Sequence, residues 1–184
     1  MSGLAAVLRR AGELLVEPAP PPPRPAAPAP LEVVVTGLGA RAGATTVARG
    51  VALALRRLGP VELAGPGRPG AVAAGPGTAV VRDTAPADTH LACHHGTGRM
   101  LVAVADGRRE AALAALVLEV LTKRHERVVL VANRVRDVSA WQAAGALCVP
   151  ESRLGAWLLG RGRRPPGAMG AALVAIAVHV RQAP

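Results

Sequence analysis

Phenylalanine and tyrosine are absent from this 184-residue chain, and Trp141 and Trp157 are its only aromatic side chains. A core must therefore be built from Ala, Val and Leu through close approach of strands and helices, and stacking platforms for single-stranded nucleic acid are excluded. Two cysteines, Cys93 and Cys148, are too few for a disulfide framework. No charged and apolar leader pattern opens the chain, so a reduced, cytoplasmic setting is expected. A bilayer span needs roughly 20 apolar residues. No apolar run is longer than Ala171–Val178, which falls well short, and the chain is expected to be soluble or at most peripheral to a membrane.

Lysine is nearly absent too: Lys123 is the single one among 22 basic residues, and the formal net charge is +10. The arginines, with abundant Ala, Gly and Pro, suit the coding bias of a GC-rich bacterial genome. They come as scattered pairs (Arg9-Arg10, Arg56-Arg57, Arg108-Arg109, Arg163-Arg164), a pattern of solvated surface rather than of a nucleic-acid site. Nucleic acid is accordingly not an expected partner.

Residues 1–17 space Leu4, Val7, Leu8, Ala11, Leu14 and Leu15 as one face of an amphipathic helix, with Arg9, Arg10 and Glu13 opposite. Residues 18–30, PAPPPPRPAAPAP, form a semi-rigid proline spacer. A helix on such a tether suits docking on a partner protein through residues 4–15, the alternative being that it packs back on its own domain.

From residue 31 to 184 short apolar segments alternate with helical patterns. Val33–Val35, Val61–Ala64, Ala79–Val81, Leu101–Val104, Val128–Val131 and Leu147–Val149 read as strands. Ala44–Leu58, Arg108–His125, Ser139–Ala144, Leu154–Leu159 and Ala168–Arg181 read as helices. This alternation predicts an α/β fold: a doubly wound, mostly parallel sheet with helices on both faces. The apolar residues of the Arg108–His125 helix, Leu116 and Val120 among them, are expected to pack on the core.

The chain is organised around residues 31–59, LEVVVTGLGARAGATTVARGVALALRRLG, a strand, a glycine-rich turn and a helix. A helix N-terminus offers unpaired N–H groups and a positive dipole end to a phosphate. The turn fits the phosphate-loop pattern G-x-x-x-x-G-K-[ST] only partly. Gly43, Thr45 and Thr46 are in place, Ala44 stands where the lysine should be, and Leu38 where the first glycine should be.

GLGARAGATTVARGVALAL resembles the deviant Walker A box of the MinD/ParA family of P-loop proteins, K-G-G-x-G-K-T-T. Gly39 then matches the signature lysine, Ala40 and Arg41 two glycines, Gly43 the third, Ala44 the catalytic lysine, and Thr45 and Thr46 the threonines. AVVRDTAP is similar to the family's strand and D-T-x-P segment, which implies a place for Asp83 beside a Mg²⁺ water shell. VVLVANRV resembles the strand ending in N-R, which implies an adenine contact for Asn133, and LCVPE resembles the final I-P-x-D turn. Within the family the members with eroded Walker boxes that it most resembles are the TadZ/CpaE-like pilus-localisation proteins.

The resemblance implies a P-loop domain over residues 31–184 whose candidate nucleotide-contacting residues are Gly39, Arg41, Gly43, Ala44, Thr45, Thr46, Asp83 and Asn133. Both lysines are missing, and VELAGPGRPG offers no aspartate where the family positions its attacking water. The expectation is a protein without ATPase activity and with no resident cofactor, which localises or scaffolds a bacterial assembly, recruited to a membrane-associated complex. It carries no catalytic residue and no metal ligand, unless Mg²⁺ with ATP or ADP binds at Thr45 and Asp83. A homodimer that needs no nucleotide is a further expectation.

Two alternatives share these residues. One is a slow ATP/ADP-binding switch with Mg²⁺. The other is an NAD(P)-binding Rossmann protein, since Gly37-Leu38-Gly39-Ala40-Arg41-Ala42 satisfies G-x-G-x-x-G/A and Glu62 stands where a ribose-binding acid would be. His90, Cys93, His94 and His95 carry metal-ligand chemistry without a tetrahedral ligand set.

Overall fold

The computed structural model describes residues 31–65, 77–84, 99–109, 111–123 and 125–182. The expected helix at 4–15, the proline spacer, the His90–His95 cluster and most of the Gly65–Gly77 loop lie outside the described residues. Six strands are present: β1 (Glu32–Gly37), β2 (Val61–Ala64), β3 (Ala79–Thr84), β4 (Arg99–Asp106), β5 (Val128–Val135) and β6 (Leu147–Pro150). They are joined with five helices: α1 (Ala44–Leu55), α2 (Ala111–Thr122), α3 (Val138–Ala143), α4 (Arg153–Gly160) and α5 (Gly167–Gln182).

The strands form one sheet in the order β2-β3-β1-β4-β5-β6, every pair parallel. β-Branched residues dominate the central strands because they are buried on both faces. Val33 and Val35 of β1 and Val102 and Val104 of β4 are fully buried. On one face these valines pack with Val47, Val51 and Leu55 of α1 and with Leu173, Ile176 and Val180 of α5. On the other, Ala103, Ala105, Leu130 and Ala132 pack with Trp141 of α3 and with Leu118 and Leu121 of α2. Helices on both faces of an all-parallel sheet make this a doubly wound α/β fold.

With large aromatics unavailable, close contact does the packing. A Cβ on Gly50 of α1 would lie 2.5 Å from Leu173 Cδ1 of α5, so the two helices touch where α1 has no side chain.

One expectation needs correcting. Leu116 and Val120 of α2 do not pack on the core: Leu118 and Leu121 face the sheet, while Leu116 is 62% and Val120 51% exposed. A helix of 3.6 residues per turn cannot turn Leu116, Val117, Leu118, Val120 and Leu121 all toward the sheet, so part of this set is left facing solvent.

The topology fixes where a ligand could go. β1 lies between β3 and β4, and the chain leaves β1 toward one edge and β4 toward the other. The crevice beyond the C-terminal ends of β1 and β4 is the switch point of the sheet. The same order puts β3 between β1 and β2, so Glu62, exposed on the edge strand, is two strands from the β1 loop. A dinucleotide-binding acid belongs beside β1, and here that place is taken by β3.

Candidate functional site

The glycine-rich loop connects β1 to α1 across this crevice. Leu38 extends the ladder, its N–H donating to Val104 O at 2.8 Å, before the chain turns. Arg41 and Gly43 both adopt positive φ, 62° and 87°. Glycine takes the second without strain, whereas Arg41 holds a conformation that a side chain disfavours. Two residues of β5 hold the loop there. Asn133 Nδ2 donates to Ala42 O at 3.0 Å, and the Arg134 guanidinium donates to Arg41 O. A Cβ added to Gly43 would collide with the Asn133 amide, so glycine is required here on two counts.

β5 is itself irregular at this point. Its pairing with β6 shifts between Asn133 and Val135, and Arg134 carries a positive φ of 65°. Such an irregularity re-aims side chains at a strand end. It lets two consecutive residues, Asn133 and Arg134, both reach the loop. Arg134 also pairs with Asp106 at 3.1 Å, and Gly107 N–H donates to Asn133 O at 2.6 Å. Trp141 Nε1 reaches Gly107 O at 3.2 Å, so its one polar atom is satisfied inside the core.

Beyond the loop lies a cleft of about 280 Å³ whose walls include Gly43, Thr46, Arg108, Asn133, Arg134 and Glu151. Glu151, just past β6, accepts from Arg108 and lies 3.5 Å from Arg136. The Arg108 hydrogen bond holds its carboxyl below the usual carboxylate range. Asp137, which caps α3, is lowered as well, by hydrogen bonds from the Ser139 hydroxyl and N–H.

At the α1 N-terminus Gly43 occupies the cap position without a side-chain acceptor, and its carbonyl takes the N–H groups of Thr46 and Val47. The N–H groups of Ala44 and Thr45 meet no acceptor among the described residues. This end therefore keeps its positive dipole end open. Thr45 is exposed, whereas Ala44 is half-buried with its methyl against the core.

Asp83 stands on the opposite side of β1. It is in register with Val35, on the sheet face that α1 covers, and is only 7% exposed. No described residue gives it a hydrogen bond or an ion pair.

The structure thus gathers Gly39, Arg41, Gly43, Ala44, Thr45, Thr46 and Asn133 at one strand-end crevice, with Asp83 at the neighbouring strand end. Asn133 faces the underside of the loop, 4% exposed, with its amide engaged by Ala42. Sequence reasoning missed Asp106, Arg108, Arg134 and Glu151, whose charges line the same edge. A signal existed: Asp106 is the last residue of β4 and Glu151 the first after β6, and carboxylates at such strand ends gather arginines. Among the described residues there is no group of His, Cys, Asp and Glu that could hold a metal ion, and no helix long and apolar enough to cross a membrane. No family model matches the chain, and no curated protein matches it.

Proposed function

We propose that this chain is a degenerate P-loop protein of the MinD/ParA type which performs no phosphoryl transfer and acts through protein contacts, localising or scaffolding a bacterial assembly. The observation that carries this reading is Ala44. At the first position of α1, where a P-loop lysine would meet the transferring phosphate, there is a methyl group packed on the core. Phosphoryl transfer depends on positive charge placed against the developing negative charge, and this position supplies none. Protein contacts as the mode of action are supported by the exposed apolar residues of α2, Leu116, Val117 and Val120, on a helix that ordinary core packing would have buried.

A second reading, Mg²⁺-nucleotide binding without turnover, is favoured by one specific observation: a largely buried carboxylate, Asp83, which no described residue pairs, stands at the strand end next to that of β1. A hydrated Mg²⁺ would satisfy its carboxylate.

The two readings separate by calorimetric titration of the full chain with ATP and ADP, with and without Mg²⁺, alongside a phosphate-release assay and NADH as control. No heat and no phosphate release support the non-catalytic reading. Micromolar Mg-ATP binding that disappears in Thr45→Ala and Asp83→Asn moves the conclusion to the switch. Sustained phosphate release overturns both.

A further inference from the structure

α4 presents a face that the fold does not use. Leu154, Trp157 and Arg161 fall at i, i+3 and i+7 and so form one stripe along the helix. Leu154 is 59% and Trp157 51% exposed, while Gly155 and Leu159 on the opposite side are buried. The Arg161 guanidinium lies 4.0 Å above the Trp157 ring, which holds the indole outward beside a positive charge.

Apart from Glu151, which Arg108 and Arg136 engage, the charges next to this apolar pair are positive. Arg153, Arg161, Arg163 and Arg164 are all exposed, and Arg49 of α1 lies over Gly160, its Nη1 4.0 Å from where a Cβ would stand. Among the described residues none of these five arginines forms an ion pair. Five other arginines are held by carboxylates: Glu32 holds Arg82 and Arg99, Glu151 holds Arg108 and Arg136, and Asp106 holds Arg134. Residues 152–184 contain no acidic residue at all.

We propose that this outward face of α4 is a peripheral binding patch for an anionic phospholipid surface. Leu154 and Trp157 enter the headgroup layer, where an indole with an apolar body and a polar N–H is most at home. The arginines keep their guanidinium groups at phosphate level while their stems cover apolar surface. The patch is a convex helix face, not a groove. Nucleic acid would use the arginines but gain nothing from Leu154, whereas a lipid surface uses both kinds of residue at one depth. The inference is independent of whether the β1–α1 loop binds nucleotide.

The test uses the full chain and the intrinsic fluorescence of its two tryptophans. Trp141 is 3% exposed and Trp157 half exposed, so a change in polarity at the patch reads out as a shift from Trp157. The chain is titrated with vesicles of phosphatidylcholine alone and of phosphatidylcholine mixed with phosphatidylglycerol, with co-sedimentation as the second readout. The expected result is a blue shift, protection from iodide quenching and co-sedimentation with the mixed vesicles only. Arg161→Gln/Arg163→Gln/Arg164→Gln weakens binding on the order of a hundredfold, at about fivefold per charge. Leu154→Ser/Trp157→Ser weakens it about tenfold or more while leaving the thermal midpoint in place. Absence of binding overturns the proposal. So does vesicle binding that leaves Trp157 emission unshifted and survives Leu154→Ser/Trp157→Ser, which would be adsorption by net charge alone. A blue shift produced by polyglutamate or single-stranded DNA but not by the mixed vesicles overturns it in favour of an acidic protein or a nucleic acid.

Discussion

At the scale of single residues, the loop between β1 and α1 depends on one contact between Gly43 and Asn133. Gly43→Ala forces a Cβ onto the Asn133 amide and strains a φ of 87°. Asn133→Ala leaves the buried Ala42 carbonyl without its donor. Each change should cost about 1–3 kcal/mol. The double variant should cost less than their sum, because removing the amide removes the collision and leaves only the backbone strain, with a coupling of about 1 kcal/mol. Urea denaturation of the four proteins measures it, and strict additivity would mean that the loop moves away from Asn133 instead. Glu151 supplies a pH prediction. Its folded carboxyl is lowered chiefly by the Arg108 hydrogen bond, so its contribution is present above the usual carboxylate range and is lost as pH falls through the lowered folded value. A ¹³C titration should place the Glu151 midpoint below an ordinary glutamate, and Arg108→Gln should return it toward that range. An unmoved midpoint would show that the carboxylate is held by something other than Arg108.

At the scale of elements, the sequence was legible wherever local pattern and tertiary demand coincide. Every expected strand and helix within the described residues is present, because runs such as Val33–Val35 and Leu101–Val104 suit a strand covered on both faces. Their ends were less legible. β1 and β4 run on to Gly37 and Asp106, and β3 to Thr84, since ladder bonds continue through polar residues that periodicity does not count. In the candidate site the loop residues were readable from their spacing. The β5 irregularity at Arg134 was not, because a register shift depends on β6, which contributes only four residues to the pairing and comes later in the chain. Nor did the pattern reveal that Leu116 and Val120 of α2 stay exposed, since burial is decided by how much of the sheet remains to be covered. α2 also gives a direct test. Leu116→Lys/Val120→Glu should change stability by no more than about 0.5 kcal/mol, because both side chains already face solvent. Leu121→Ala, on the sheet-facing side, should cost about 1–3 kcal/mol. If the surface pair instead lowers the thermal midpoint in a manner that depends on protein concentration, α2 is covered by a second copy in solution.

At the scale of the whole molecule, a sheet ordered β2-β3-β1-β4-β5-β6 pairs its central strand with partners far along the chain. Glu32 of β1 meets Arg82 of β3, 50 residues on, and Arg99 of β4, 67 residues on, each at 2.5 Å. Closing such long loops costs entropy before any contact repays it, so no two of these strands form a stable unit alone. The sheet should therefore gain and lose its order cooperatively. Glu32 is the residue on which this can be tried, because one carboxylate, 17% exposed, joins β1 to both of its neighbours, β3 through Arg82 and β4 through Arg99. Glu32→Gln removes the charge that both arginines share and leaves two like charges facing the same strand, at a cost of about 1–3 kcal/mol. If β3, β1 and β4 form one unit, native-state hydrogen exchange should show that cost equally in the amides of Val81, Val35 and Val102, all of them fully buried. The short edge strand β2, paired only with β3, should exchange faster in both proteins and change less. A loss of protection confined to β3 would mean that this strand can open while β1 and β4 stay paired. The crevice beyond β1 would then be bounded by a movable wall on the side that carries Asp83.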